Sequence, residues 1–262
     1  MTVSIVMAVF NRLDLTRACV ESLRGATEPF ELCVVDNGSS DGTAEFFARW
    51  ALPFPLRYTR NADNVGLIRA LNQGGALAHG DVLCFLHNDT EMREARWLSR
   101  LRAALDEPGV GLAGLYGARR LRRDGRYAGR TLVHCLEGSG NLRADMLEVA
   151  AVDGVCLALM RALFETVGGF DEGYGFFHGY DRDLSFAVRE TGHRNVVVRA
   201  PFVHHGGGTR TGEAAPVRAP QDLAQRRAAL ARFATKWRHR LPADVRTWRE
   251  RIAERFGGQP RR

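Results

Sequence analysis

Apolar runs and amphipathic stretches alternate through the first 90 residues. Short continuous apolar runs predict buried strands, and periodic stretches with polar residues on one side predict helices. The predicted strands are Ser4–Val9, Glu31–Val35, Leu56–Tyr58 and Val82–Leu86, and the predicted helices are Leu13–Leu23, Thr43–Trp50 (capped by Asp41) and Val65–Ala78 (capped by Asn64). Regular alternation of this kind predicts an α/β fold, with a mostly parallel sheet covered by helices on both faces.

The pattern becomes less regular after residue 110. Further strands are predicted at Val110–Leu115, Val149–Val152, Asn195–Val198 and Phe202–Val203, an arginine-rich hairpin at 118–130, and helices at Met160–Val167, Asp181–Thr191, 221–238 and 243–256. We expect one domain over 1–216, made of the halves 1–90 and 91–216. Residues 217–262 should form a helical C-terminal extension packed on the same domain.

Composition narrows the class of protein. The chain has 262 residues, 45% of them hydrophobic, which is typical of a globular domain. Its five cysteines contain no Cys-x-x-Cys pair, so we expect a reducing, cytoplasmic setting without disulfides. No apolar run approaches the roughly 20 residues that span a bilayer, and no leader peptide is expected.

The formal charge is +7, and Lys236 is the only lysine, so arginine carries nearly all the positive charge. A codon bias toward arginine would produce this skew without any functional meaning. A basic field would also attract a phosphorylated substrate, a nucleic acid or an anionic membrane surface. The arginine-rich C-terminal helices leave peripheral contact with the inner face of the cell membrane open.

Polar residues follow three of the predicted strands. Asn11 and Arg12 follow the first, Asp36 and Asn37 the second, and residues 87–89 (His-Asn-Asp) the fourth. Ligands of open α/β sheets bind at the carboxyl ends of the strands, so these residues predict a site there. Each segment taken alone could be an ordinary turn. No glycine-rich dinucleotide or P-loop motif follows the first strand, which argues against those nucleotide sites.

Five segments together resemble the inverting family 2 glycosyltransferases of the GT-A fold. They span about residues 3 to 210 and occur in the order that the family shows. The segments are SIVMAVFNR, ELCVVDNGSSDGT, NVGLIRALNQGGALAHGDVLCFLHNDTEM, VGGFDEGYGFFHGYDRDLSFAVRETG and PFVHHGGGT. The resemblance implies a sugar-nucleotide donor, a divalent cation and an acceptor hydroxyl. It also implies that 1–90 is the nucleotide-binding half and 91–216 the acceptor-binding half.

The resemblance implies a metal site at Asp89, with Mn²⁺ or Mg²⁺ stabilising the departing diphosphate. His87 stands where relatives carry the first acid of an Asp-x-Asp element. Either His87 ligates the ion, which would favour Mn²⁺, or His87 and Asn88 hydrogen-bond the ribose. His204 is expected to be the late metal ligand or a diphosphate contact, in preference to His205. The glycine-rich segment 206–216 is expected to close over the donor.

The same resemblance places the general base at Asp181, in the first turn of a helix. A carboxylate there would take the proton of the acceptor hydroxyl as that oxygen attacks the anomeric carbon. Tyr180 replaces a glutamate that is usual in the family. Asp183, the competing candidate, would cap the helix or orient its neighbours.

Nucleotide recognition is expected at the ends of the first two strands. Backbone groups of Ala8, Val9 and Phe10 would border the base, with Asn11 beside them, and Asp36 would accept from a pyrimidine N–H or a ribose hydroxyl. Asn64 should shape the adjacent loop. Arg69 either reaches a phosphate or lies on an ordinary solvated helix face.

The expected function is transfer of a hexosyl or deoxyhexosyl group from UDP- or dTDP-sugar to a saccharide or lipid-linked acceptor, with no nucleic acid as partner. The alternatives are a sugar-phosphate nucleotidyltransferase, a non-catalytic sugar-nucleotide binder and an arginine-rich nucleic-acid-binding module. The first would need a basic glycine-rich loop after the first strand, which MAVFNRLD does not offer. The last would need no acids at strand ends, and its affinity would fall steeply with salt.

Overall fold

An eight-stranded mixed sheet forms the centre of the protein in a computed structural model, which describes residues 1–51, 53–128, 131–206 and 219–255. The strands are β1 (Val3–Val9), β2 (Phe30–Asp36), β3 (Leu56–Arg60), β4 (Val82–Leu86), β5 (Thr90–Met92), β6 (Val110–Gly114), β7 (Tyr116–Ala118), β8 (Arg120–Leu121), β9 (Leu132–His134), β10 (Met146–Val149), β11 (Ala151–Val152), β12 (Cys156–Met160), β13 (Arg194–Val198), β14 (Phe202–His204) and β15 (Ala243–Asp244). The helices are α1 (Leu13–Leu23), α2 (Thr43–Arg49), α3 (Leu67–Leu77), α4 (Trp97–Asp106), α5 (Arg161–Thr166), α6 (Tyr180–Glu190), α7 (Ala219–Lys236) and α8 (Trp248–Arg255).

The strand order of the large sheet is β10-β13-β6-β12-β4-β1-β2-β3. The four strands predicted in the first 90 residues are confirmed, and β1, β2, β3 and β4 pair in parallel. β12 lies between β4 and β6 and runs antiparallel to both. The predicted α/β fold with a mostly parallel sheet is therefore confirmed, with two antiparallel strands, β12 near its middle and β10 at one edge.

Both faces of the sheet are buried, as the continuous apolar runs predict. Side chains alternate between two cores along each strand, because successive residues of a strand point to opposite faces. In β4, Leu83 and Phe85 join the core that contains Ile68 of α3. Cys84 and Leu86 join the opposite core with Trp97 of α4. The same sheet is thus covered by α3 on one face and by α1 and α4 on the other.

Close packing between α3 and β1 depends on a glycine. A Cβ atom at Gly74 would overlap the side chain of Val6, and it would also come within 3.3 Å of Val35. The glycine therefore lets α3 pack closely against the middle of β1 and against β2.

Some helix starts and caps differ from the predictions. α3 begins at Leu67 rather than Val65, and Asn64 is not its N-cap; Gly66 occupies that position with φ 93°. α2 begins at Thr43, as predicted, but Gly42 rather than Asp41 is its N-cap, although the Asp41 carboxylate accepts a hydrogen bond from the Thr43 amide. The helix predicted over 243–256 is wrong at its start, because residues 243–244 pair with β8 as β15 and the helix begins at Trp248.

The C-terminal helix α7 packs against the second half of the chain. Phe233 lies edge-on to Phe186 of α6, with ring centroids 4.9 Å apart. The buried Asp183 carboxylate accepts hydrogen bonds from Trp237 Nε1 and Lys236 Nζ, at 2.7 and 2.9 Å. These contacts fix α7 to the helix that begins with Tyr180 and Asp181. The division into the halves 1–90 and 91–216 stays a prediction.

All five cysteines are free and buried, as expected for thiols that serve as small core residues. Within the described ranges, none of the helices has the length and apolar character needed to cross a bilayer. The expected peripheral membrane contact and cytoplasmic setting stay predictions. The glycine-rich segment expected to close over the donor falls almost entirely on residues 207–218, outside the described residues.

Candidate functional site

A cavity of about 930 Å³ opens at the carboxyl ends of β1, β2 and β4. Its lining comes from both halves of the chain and from α7. The first half contributes, among others, Ala8, Val9, Phe10, Asn37, Asn64, His87, Asn88 and Asp89; the remainder includes Tyr116, Tyr127, Asp153, Asp181 and His204. The carboxyl edge of the sheet, where the sequence predicts a site, therefore borders this cavity.

Two imidazoles and one carboxylate converge in this cavity. The ligand atoms of His87, Asp89 and His204 all lie within 4.8 Å of one another. β4 ends just before His87, and the antiparallel pairing of β14 with β5 places His204 opposite Thr90. His205 is held differently, since its ring contacts Glu91. Two imidazole nitrogens and a carboxylate oxygen form a donor set that fits a divalent transition metal such as Mn²⁺.

The Asp89 carboxylate is buried, and its surroundings favour the ionised form. Only 6% of the residue is exposed, and its Oδ1 lies 3.2 Å from His204 Nε2 and 3.9 Å from His87 Nδ1. Burial alone would raise the pKa of Asp89, but the His204 hydrogen bond and the charge interactions with both imidazoles lower it to about 2. The site thus offers a preformed anionic ligand.

His87 also contacts Tyr180, the residue that replaces the glutamate usual in the family. The Nε2 atom of His87 lies 2.9 Å from the Tyr180 hydroxyl, while Nδ1 points toward Asp89. A hydrogen bond at one ring nitrogen fixes the tautomer and orientation of a ligating histidine. When Nε2–H donates to Tyr180, Nδ1 keeps its lone pair available for a cation. This contact joins the metal-ligand cluster to α6.

Asp181 enters the cavity from the first turn of α6. Its Oδ2 accepts a hydrogen bond from the Gly154 amide at 3.3 Å. Asp153 precedes that glycine and also lines the cavity. Burial raises the pKa of Asp153 to about 6, and the nearby negative charge of Asp181 acts in the same direction. Two carboxylates with different environments therefore line the same part of the cavity.

Asp183 has a different environment. Besides its bonds to Trp237 and Lys236, its Oδ1 accepts a hydrogen bond from the Tyr174 hydroxyl at 2.8 Å. The residue is only 4% exposed and does not line the cavity. Asp183 therefore anchors the C-terminal helix, and it is not the N-cap of α6, where Gly179 stands.

Three predicted donor-site residues lie outside the cavity lining among the described residues. Asp36 is fully buried, and its carboxylate accepts from Tyr58 Oη and the Ser39 amide. Asn11 accepts from the Ser40 amide, so it supports the turn after β2. Arg69 forms an ion pair with Glu172 at 3.2 Å and is largely exposed. Asp36 and Asn11 support the turn that follows β2 at the rim, and Arg69 lies on a solvated helix face.

Asn64 and Asn37 form a shared support at the same rim. Asn37 Nδ2 donates to Asn64 Oδ1 at 2.7 Å, and Asn37 Oδ1 accepts from the Val65 amide. Both residues line the cavity. The sequence interpretation that Asn64 shapes the loop agrees with this arrangement.

Asp153 was not among the sequence-predicted site residues. It directly follows the predicted strand Val149–Val152, so the rule applied to the first four strands would have selected it. Tyr116, Tyr127 and the α7 residues of the lining carry no comparable signal, because long-range packing alone brings them to the cavity.

Solved structures share this fold. The chain aligns with GalNAc-T7 in complex with UDP, GalNAc and Mn²⁺ at a TM-score of 0.65 and 18% identity, over 84% of this chain and 45% of that one. It aligns with residues 1–349 of S. aureus TarS in complex with UDP-GlcNAc at a TM-score of 0.65 and 17% identity, over 94% and 68%. These similarities define the class of fold, which is GT-A.

The family follows from the sequence match. The model of glycosyl transferase family 2 matches residues 4–168, and the chain belongs to that family. "Uncharacterized protein y4gI" of Sinorhizobium fredii is 32% identical over 82% of this chain and 25% of its own length. "O-antigen biosynthesis protein RfbC" of Myxococcus xanthus is 29% identical over 82% of this chain and 18% of its own length. The chain thus spans a quarter or less of these two relatives.

Proposed function

We propose that this protein is a metal-dependent inverting glycosyltransferase. It transfers a hexosyl or deoxyhexosyl group from a nucleoside-diphosphate sugar, UDP- or dTDP-linked, to a hydroxyl of a saccharide or lipid-linked acceptor. The observation that carries the proposal is the meeting of the His87–Asp89–His204 cluster and the Asp181 carboxylate in one cavity.

The donor side of the cavity suits a nucleotide. Backbone at Ala8–Phe10 borders the lining beside Asn37 and Asn64, which gives peptide and amide groups for a base and ribose. GalNAc-T7 and TarS were solved with UDP and UDP-GlcNAc, and a mannosyltransferase of Pyrobaculum calidifontis with GDP-Man and Mn²⁺. These structures support a diphosphate donor for this chain.

His87, Asp89 and His204 would hold the divalent cation, and Asn88 stays available for the nucleotide. A bound Mn²⁺ or Mg²⁺ supplies charge stabilisation for the departing diphosphate. The two imidazoles favour Mn²⁺, since Mg²⁺ prefers oxygen ligands. Before any ion binds, the imidazoles hold the buried Asp89 in its ionised form.

Asp181 would act as the general base. Its carboxylate lies in the cavity, and the Gly154 amide occupies only one of its oxygens in the described structure, at 3.3 Å. The other oxygen can accept the proton of the acceptor hydroxyl as that hydroxyl attacks the anomeric carbon. Displacement from the face opposite the diphosphate inverts the anomeric centre in one step. Asp183 is unsuited to this role, because three side-chain donors already occupy it.

The test is substitution of Asp181→Asn, which keeps the shape of the side chain but removes its basicity. We expect transfer to fall by about 10²–10⁴-fold, the usual contribution of a general base. The affinity for UDP with Mn²⁺, measured by calorimetry, should stay within about threefold, because the cation cluster is unchanged. The matched control is Asp183→Asn.

Full transfer activity in Asp181→Asn would refute the base assignment. Native protein that binds none of UDP, dTDP or GDP in the presence of Mn²⁺ would refute the proposed donor chemistry. In the control, the effect should appear mainly in the free energy of unfolding, since Asp183 contacts α7 rather than the cavity.

A further inference from the structure

One wall of the cavity is basic and partly apolar. It consists of Arg126 from the 118–128 segment and of Leu223, Arg226, Arg227 and Leu230 from α7. We call these five residues the arginine wall. The spacing of the α7 residues, i, i+3, i+4 and i+7, places them on one side of the helix. This wall has no part in the metal-ligand cluster or in the contacts of Asp181.

The helix that carries the arginine wall is firmly attached to the acceptor half. His178 Nε2 lies 2.8 Å from Asp222 Oδ1, close to the start of α7. In the middle of the helix, Ala229 is buried, and a Cβ at Gly179 would lie 3.4 Å from the Ala229 Cβ. The wall is therefore held beside the segment that leads into Asp181.

Among the described residues, two of the three guanidinium groups of the wall have no carboxylate as an ion-pair partner, and the third has a weak one. Arg226 and Arg227 are exposed, and within the described ranges neither has a carboxylate within the 4 Å that defines an ion pair. Arg126 has only a loose partner, Asp124 at 3.6 Å, and its side chain is 67% exposed. By contrast, other arginines near α7 are paired, such as Arg232 with Asp171 at 2.9 Å. Uncompensated guanidinium groups on a cavity wall favour an anionic ligand.

We propose that the arginine wall is a subsite for a phosphate group carried by the acceptor. The substrate class would then be a phosphorylated or diphosphate-linked saccharide, and this inference rests on the proposed glycosyltransferase function. Arginine forks suit phosphate oxygens, and three of them match the charge of a phosphate or diphosphate. Leu223 and Leu230 provide an apolar surface next to that group.

The wall is assigned to the acceptor rather than to the donor because of its neighbours. The described packing of α7 is with α6, the 170–179 segment and the 118–128 segment, all in the second half of the chain. The donor diphosphate already has the His87–Asp89–His204 cluster, two of whose members lie in the first half. The phosphate can come from two sources, a soluble sugar phosphate or a lipid-linked diphosphate, and the leucines distinguish them.

The experiment is calorimetry on the protein saturated with UDP and Mn²⁺, so that the donor site is filled. The probes are glucose, glucose 1-phosphate and farnesyl diphosphate. We expect both phosphate-bearing probes to bind and glucose to bind at least tenfold more weakly. In the double variant Arg226→Gln, Arg227→Gln, affinity for both phosphate probes should fall by tenfold or more, while UDP affinity stays within twofold. Arg238→Gln, at an exposed arginine outside the cavity lining, is the matched control.

Three results would overturn the proposal: glucose binding as well as glucose 1-phosphate, phosphate affinity unchanged in the double variant, or UDP affinity lost to the same extent as probe affinity. If UDP affinity is lost to the same extent, the arginines bind the donor diphosphate rather than the acceptor. A native protein that does not bind UDP contradicts the glycosyltransferase function instead, and the arginine dependence of probe binding is then measured without UDP. Leu223→Ser separates the sources: a loss limited to farnesyl diphosphate supports the lipid-linked acceptor, and no loss supports the soluble one.

Discussion

At the residue scale, the contact between His87 and Tyr180 joins the candidate metal-ligand cluster to the helix that carries Asp181. The Tyr180 hydroxyl fixes the imidazole that faces Asp89, and the next residue along the chain is Asp181. A tyrosine in place of a carboxylate cannot supply negative charge to a cation. It can supply orientation instead, as the proposed role of His87 as a metal ligand would require.

Tyr180→Phe tests this positioning role, because it removes one hydroxyl and keeps the ring that packs on Phe170. We expect the affinity for Mn²⁺, measured by electron paramagnetic resonance titration, to fall by about tenfold. Tyr174→Phe is the matched control, since it removes a buried hydroxyl that bonds Asp183, away from the cluster. Equal Mn²⁺ affinity in Tyr180→Phe and the native protein would contradict the role.

The rim residues show how far residue-level prediction reaches. His87 and Asp89 were predictable, because polar residues at the end of an apolar run must lie at the sheet edge. The ring of His204 reaches Asp89 only through the pairing of β14 with β5, and that pairing has no local signal. Asp36 shows the opposite case. It lies at the predicted edge, but its two carboxylate oxygens accept hydrogen bonds from the Tyr58 hydroxyl and the Ser39 amide.

At the element scale, continuous apolar runs predicted the parallel strands well, and longer-range pairings were missed. β12 reads CLALM and runs directly into α5, so its apolar residues fit a helix as well as a strand. Its strand character comes from the two neighbours that it pairs with. The same reason applies to β15, which exists because β8 lies beside it.

The docking of α7 also has an element-scale consequence. Trp237 is 6% exposed, packs on Phe186 with ring centroids 5.7 Å apart, and donates to Asp183. Trp237→Ala should therefore lower the free energy of unfolding by about 3–5 kcal/mol, through the lost packing and a weakened hydrogen-bond network. Urea unfolding followed by circular dichroism measures the change.

Trp248→Ala is the control for that substitution. Trp248 is 61% exposed at the start of α8, so the change should stay within about 0.5 kcal/mol. A similar loss of stability in both variants would show that the contacts of α7 are not specific.

At the scale of the whole molecule, Asp153 makes stability depend on pH. Its folded-state pKa of about 6 lies above the unfolded value of about 3.9, so its contribution is present at low pH and is lost as pH rises toward 6. Asp153→Asn, which mimics the protonated acid, should therefore be more stable than the native protein at pH 8 and show a smaller gain at pH 5. The full shift corresponds to about 3 kcal/mol, and solvent in the cavity reduces the expected gain to about 1 kcal/mol.

Denaturant midpoints of both proteins, measured in EDTA at pH 5 and pH 8, check this expectation. The control is Asp63→Asn, which removes one negative charge at an exposed position outside the cavity lining. A gain for Asp153→Asn that does not grow with pH would mean that burial and Asp181 do not hold its proton.

The position of α7 has a consequence for how such proteins diversify. The family match ends at residue 168, whereas the helix that walls the cavity lies at Ala219–Lys236. Under the proposed function, His87 and Asp89 lie inside the matched stretch, whereas Asp181, His204 and the α7 residues of the arginine wall lie beyond it. Exchange of the segment that forms α7 would then alter acceptor choice while all four of the site residues outside that helix stay in place.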